Sequence, residues 1–205
     1  MSHAIHWDNI FKSTPESSLG WYEQDPSLTV SLLEKVTTLE NKQVFILGVG
    51  TSRIVETLLN LGSQLIINDI SSEAIDNVLA RVASQDAILD VYNQDISKPL
   101  EGITNQIDIW IDRAVLHFLT DEQAQQSYMD NLHRALRVGG YALFAEFAAN
   151  GAEKCAGLEV KRYTLNSLTD CLGPGFDVIE HFEHIYTNPN GAPRPYLYAL
   201  YKRIN

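Results

Sequence analysis

The sequence predicts a doubly wound α/β fold, with a mostly parallel, seven-stranded sheet closed by a C-terminal antiparallel hairpin. Three observations lead to this expectation. Short apolar runs alternate with stretches of helical spacing. The runs end in glycines, amides or carboxylates, at Gly48-Val49-Gly50, Asn68-Asp69 and Asn93-Gln94-Asp95. The last part of the chain holds two strand-like stretches, 176–186 and 196–202, joined by the Pro/Gly-rich loop 188–195.

Taken in order, Asp25-Pro26-Ser27 suits a helix start, and Leu28, Leu32, Leu33, Val36 and Leu39 give it an apolar stripe. Val44 to Leu47 is the first strand. Ile54, Val55, Leu58, Leu59 and Leu61 keep helical spacing until Gly62 stops it. Leu65 to Asn68 is the second strand, and Ser71-Ser72-Glu73 caps a helix whose face is Ala74, Ile75, Val78, Leu79 and Val82. Ile88 to Tyr92 is the third strand. Pro99 and Gly102 leave the next crossover short or irregular before the fourth strand, Ile107 to Ile111. A long helix from Asp121 through Tyr128, Leu132 and Leu136 is expected to end at Gly139-Gly140, with a fifth strand from Tyr141 to Phe147. A last helix from Thr164 to Leu172 breaks at Gly173.

At 205 residues and 45% hydrophobic content, the chain suits one domain with one sizeable core. A net charge of −11 disfavours a protein that grips nucleic acid through its phosphates. Two cysteines, Cys155 and Cys171, are too few for a disulfide framework, and residues 1–11 lack a secretory apolar core, so a cytoplasmic location is expected. No apolar run approaches the roughly 18 residues of a membrane span, so no membrane partner is expected, and no metal site is expected either.

In such folds ligands collect at the carboxyl ends of the strands. Gly48 and Gly50 bring no side chain, so a ligand can lie against the main chain. Asp69 stands about 20 residues beyond the turn, where an acid for ribose hydroxyls belongs. A dinucleotide turn wants a third glycine where Arg53 stands, which weakens an NAD-binding oxidoreductase, and no Gly-Lys-Ser/Thr of a phosphate loop occurs.

Gly48-Val49-Gly50-Thr51-Ser52 with Asp69 and Asp95 instead resembles the S-adenosylmethionine (SAM) site of class I methyltransferases, a Rossmann-like family, over nearly the whole chain. The stretches 109–119, with Asp112-Arg113-Ala114-Val115-Leu116-His117-Phe118-Leu119, and 154–160, with Lys154-Cys155-Ala156-Gly157-Leu158, look like one bacterial branch of it. More distantly, the turn resembles that of citrate synthase and elongation-factor lysine methyltransferases. The resemblance implies SAM as cofactor, S-adenosylhomocysteine (SAH) as product, and a cofactor site of Trp21, Gly48, Gly50, Thr51, Asp69, Ile70, Asp95, Ile96 and Asp112. In that family the residue two before the first glycine is usually acidic; here it is Ile46, and Asp112 or another polar group would have to serve.

Asp112 and Arg113 place two charges between apolar runs, where they must be paired, solvated or ligand-bound. With His117, one helical turn beyond Arg113, they are the expected catalytic group. Tyr22, Phe147, Cys155, Arg162 and Tyr163 are the expected acceptor contacts, in loops past strand ends or in the segment ahead of the first strand. The expected organisation is a lid and helix segment over 1–40, a SAM-binding core over 41–148 and an acceptor-side segment over 149–205. A small-molecule acceptor, such as a thiol, metalloid, amine or acid, is the expected partner. A protein lysine is the alternative acceptor, and a non-catalytic SAM-binding module is the alternative of another class.

Overall fold

A computed structural model describes residues 3–82, 86 and 88–205, with Leu89 described by its backbone alone. Its main sheet has seven strands in the order β3-β2-β1-β4-β5-β9-β8. The strands are β1 (Gln43–Leu47), β2 (Gln64–Asp69), β3 (Ile88–Asn93), β4 (Ile107–Arg113), β5 (Leu136–Phe147), β8 (Phe176–Thr187) and β9 (Pro193–Arg203). The first five pair in parallel, and β9 runs antiparallel between β5 and β8. Two short strands, β6 (Lys154–Cys155) and β7 (Leu158–Glu159), form a separate hairpin. The helices are α1 (His3–Ser13), α2 (Ser27–Glu34), α3 (Ile54–Asn60), α4 (Ser72–Arg81), α5 (Glu122–Ala135) and α6 (Leu165–Leu172). The expected doubly wound α/β sheet with a closing antiparallel pair is the observed one.

Strand alternation splits the core into two layers. Val44 and Ile46 of β1 join Ile109 and Ile111 of β4 under α2, α3 and α4, while Phe45 and Leu47 join Trp110 and Phe144 under α5 and α6. Helix starts follow their caps: Ser71 accepts from Ala74 N, Asp121 from Ala124 N, and Thr164 forms a reciprocal box with Ser167.

Three boundaries differ from the expectation. Helix α5 ends at Ala135, not at Gly139-Gly140, because Leu136 turns extended, pairs with Ile107 and is fully buried. The glycines instead lie within β5 beside its register shift, where a Cβ on Gly140 would meet the carbonyls of Arg137 and Asp108 at 2.9 Å. The hairpin loop is 188–192, shorter than expected, since Pro193 and Pro195 belong to β9. They lie beyond Tyr196, which pairs with Phe147 at the end of β5, so no ladder donor is missed on that side. Helix α2 stops at Glu34, before Val36 and Leu39, although Leu39 is still buried. Helix α1 and the β6–β7 hairpin were not expected from the sequence.

Beneath the carboxyl end of β4 runs a buried polar chain. Trp110 Nε1 donates to Tyr128 Oη at 2.9 Å, and that hydroxyl donates to Asp112 Oδ2 at 2.6 Å. Asp112 also accepts Val115 N at 2.9 Å and Leu116 N at 3.1 Å, pinning the 3-10 turn Leu116–Phe118. His117 N donates to Glu146 Oε2 at 3.1 Å, and the same oxygen lies 2.7 Å from His117 Nδ1. All five side chains are fully buried. Burial pushes Glu146 up to about 8 and His117 down to about 3, so at neutral pH the contact joins an uncharged acid to an uncharged imidazole. Burial, with Glu146 nearby, also raises Asp112.

The two shifts act at opposite ends of the pH scale. His117 has a depressed folded value, so its contribution to stability is present above 6.5 and lost as pH falls towards 3. Glu146 has a raised one, so its contribution is present below 4.5 and lost as pH rises through about 8. Urea unfolding should therefore show His117→Asn losing less stability than wild type between pH 6.5 and 4, by up to about 1.4 kcal/mol per pH unit. Glu146→Gln should lose less between pH 5 and 8. Parallel pH profiles for wild type and both variants would contradict this network.

Candidate functional site

The glycine turn leaves β1 with Gly48 at φ +54° and Gly50 at φ +42°, both left-handed. A Cβ on Gly48 would collide with Val115 Cγ2, so that position needs glycine for space as well as for angle. Gly50 N donates to Asp69 Oδ2 at 3.0 Å, and Ser71 N donates to Asp69 Oδ1 at 2.9 Å. Each oxygen keeps a lone pair for a further donor. Burial pushes the Asp69 carboxyl up to about 6. Past β3, Asp95 Oδ1 accepts Ser97 N at 2.9 Å and Ser97 Oγ at 2.8 Å, and Asn68 Nδ2 holds the strand end through Tyr92 O and Gln94 O, both at 2.9 Å.

These groups floor a cleft of about 850 Å³ of empty space. Of the expected cofactor residues, Trp21, Gly48, Gly50, Asp69, Ile70, Asp95 and Ile96 line it together, as do Arg113 and Cys155. Its roof is aromatic: Trp7 of α1 meets Trp21 edge-on at 5.4 Å and Phe118 at 5.0 Å, and Phe11 meets Trp21 at 6.4 Å. Asp8 Oδ1 anchors α1 by accepting Ser71 Oγ at 2.6 Å, and His6 Nε2 lies 3.0 Å from Ala156 O in the β6–β7 turn. Both ends of the roof are thus tied to the body.

A second cavity of about 450 Å³ adjoins the first at the turn, sharing Trp21, Gly48, Gly50 and Arg113. Glu23, Ile46 and Thr51 also line it. Arg113 Nε lies 2.9 Å from Glu23 Oε1, its Nη1 donates to Trp21 O at 3.2 Å, and its guanidinium lies over the rings of Tyr186 and Tyr196. Burial opposes the charge on Arg113, but Glu23 together with Tyr196 and Tyr198 outweighs it and keeps the cation. Burial raises Glu23, and Arg113 opposes that rise.

The remaining expected site residues lie elsewhere. Asp112 and His117 face the buried chain under β4 and line neither cavity. Phe147 stacks on His117 at 4.6 Å, and Tyr163 is buried in the α5–α6 layer. The Tyr22 carbonyl accepts the Tyr186 hydroxyl, and Arg162 pairs at the surface with Glu153 at 3.4 Å. Burial pushes the Cys155 thiol up to about 11, so it is protonated at neutral pH. Missing from the expectation are Trp7, Phe11, Glu23 and Phe118. The spacing of Trp7 and Phe11, four apart on one helix face, was the available signal for the roof.

The model of the methyltransferase domain family matches residues 46–144. A search of curated proteins finds no match. Among solved structures, the N-methyltransferase NodS of Bradyrhizobium japonicum with bound SAH is 14% identical over 98% of this chain and 100% of its own, and has a TM-score of 0.70. The 1,6-didemethyltoxoflavin-N1-methyltransferase of Burkholderia thailandensis, with its heterocycle and SAH bound, is 16% identical over 100% of this chain and 92% of its own, at TM-score 0.65. A structure from work on converting a disulfide bond into a thioacetal group during echinomycin biosynthesis is 18% identical over 99% of this chain and 93% of its own, at TM-score 0.77. The match over residues 46–144 is thus to a methyltransferase domain, and these solved structures share the fold of nearly the whole chain.

Proposed function

We propose that this chain transfers a methyl group from SAM to a small-molecule nucleophile. Residues 41–148 form the cofactor core, 1–40 the lid and 149–205 the acceptor side. The roofed cleft carries this reading: an acceptor has to fit under Trp7, Trp21 and Phe118, between α1 and the β6–β7 hairpin, and cannot lie along an open groove. A protein lysine would have to thread beneath the same roof. The Burkholderia thailandensis enzyme, which holds a small heterocycle beside SAH in a similar fold, supports the same choice.

The site fits the cofactor on its own geometry. The turn offers bare backbone at Gly48 and Gly50, Asp69 keeps lone pairs for ribose hydroxyls, and the buried Thr51 Oγ1 has no hydrogen-bond partner among the described residues. SAM supplies a methyl group already activated on a sulfonium. What the chain adds is alignment and exclusion of water. Phe118, Leu119 and Cys155 form a wall without a carboxylate, His117 is turned away, and the imidazole that lines the cleft is that of His3 in the first turn of α1. The apolar wall suits acceptors that present a lone pair unaided, namely thiolates, metalloids and unprotonated amines, and His3 is the lining side chain that could assist a protonated one.

A labelled-methyl screen across thiols, metalloids and amines should find an acceptor, and turnover on none of them would leave only the SAM-binding module. Asp69→Ala should weaken SAM binding by about 1.5–3 kcal/mol, as measured by calorimetry. Phe118→Ala and Cys155→Ser should raise the acceptor KM or lower kcat while SAM affinity stays within about a factor of three. Should these two lose SAM affinity and leave acceptor kinetics intact, the acceptor side has been misplaced.

A further inference from the structure

The sheet order sets the direction in which a nucleoside ligand lies. With its ribose on Asp69 at the end of β2, one end of the ligand extends over β3, past Asp95 and Ile96, and the other extends over β1 and β4. The β3 side supplies apolar wall for a base. The β1–β4 side opens into the second cavity, where the charged lining groups are one acid, Glu23, and one base, Arg113, 2.9 Å apart.

That pair is an unusual one to bury. Glu23 is 9% exposed, and an enclosed ion pair contributes little to stability on its own. It sits against the glycine turn rather than within the core, with Ser52 Oγ 3.4 Å from Glu23 Oε2. Thr51, 2% exposed, brings to the same cavity a hydroxyl without a partner among the described residues. Strand β1 brings only hydrocarbon there, through Ile46. The far end of SAM is an α-amino acid, a cation and an anion on neighbouring atoms, which a carboxylate and a guanidinium at this spacing complement.

We propose that Glu23 and Arg113 clamp the amino-acid end of SAM, Glu23 accepting from its ammonium and Arg113 donating to its carboxylate. The negative charge that β1 lacks at Ile46 is thereby supplied from the N-terminal segment. Trp21 couples this clamp to the roof, since its carbonyl accepts from Arg113 while its ring meets Trp7. Filling the clamp therefore also sets the aromatic roof over the acceptor.

This assignment rests on the methyltransferase reading, and a ligand series separates the two. Calorimetry compares SAH, its analogue without the amino group, and 5′-methylthioadenosine, which keeps the nucleoside and lacks the amino acid. On wild type, loss of the amino group should weaken binding about tenfold or more, as expected of a hydrogen bond between charged groups. Glu23→Gln should weaken SAH to a similar degree, leave 5′-methylthioadenosine within about threefold, and erase the difference between SAH and its deaminated analogue. Equal losses on SAH and 5′-methylthioadenosine would make Glu23 a structural partner of Arg113 and overturn the clamp. The wild-type comparison needs no variant, so equal affinity for SAH and its deaminated analogue overturns the clamp even if Glu23→Gln fails to fold. Wild type that binds none of the three ligands would overturn the methyltransferase reading, and the clamp with it.

Discussion

The carboxylate of Asp112 holds the end of β4, and the cleft depends on it. It takes two backbone N–H groups of the turn after Ala114 and the hydroxyl of Tyr128, and so fixes where Val115 points. Val115 in turn fills the space a side chain on Gly48 would need. The glycine turn and the β4 exit therefore lock together, and the floor of the cleft is set before any ligand arrives. A group buried this deeply is costly to leave unpaired, which explains why Asp112 has a full set of donors.

Much of this was legible in the sequence. The five parallel strands read clearly because both of their faces are buried, and the Gly48–Gly50, Asp69 and Asp95 series marks three strand ends that do meet in one cleft. The roles of Asp112 and Arg113 were less legible because they were read as a unit. Side chains alternate along a strand, so Arg113 shares its face with Ile109 and Ile111 and reaches the cleft, whereas Asp112 shares its face with Trp110 and reaches Tyr128. Helix α1 escaped notice because none of its residues is fully buried: the Trp7 and Phe11 spacing is its one local signal, and Asp8, which anchors it, has its partner Ser71 far along the chain. Glu23 was missed for a similar reason: its partner Arg113 lies far along the chain.

The distribution of charge suits the chemistry. The buried acids under β4 and the neutral His117 stay out of the cleft, so the acidic and guanidinium side chains lining the two cavities are Asp69, Asp95, Glu23 and Arg113, beside the imidazole of His3 and the thiol of Cys155. Asp69, Asp95 and Glu23 suit the sulfonium and ammonium of the proposed cofactor, and Arg113 suits its carboxylate. The roof above is apolar and aromatic. Such a site spends its polar groups on holding and orienting the cofactor and leaves the acceptor to bring its own reactive lone pair.

Hydrogen–deuterium exchange with and without saturating SAH tests the central claim most directly, because it reports both binding and place. Slower exchange is predicted in three places: the turn 48–53, the β3 exit 94–97 and helix α1, whose roof would be ordered by the ligand. No change on adding SAH, or protection confined to the β8–β9 hairpin, would contradict a cofactor site at the glycine turn.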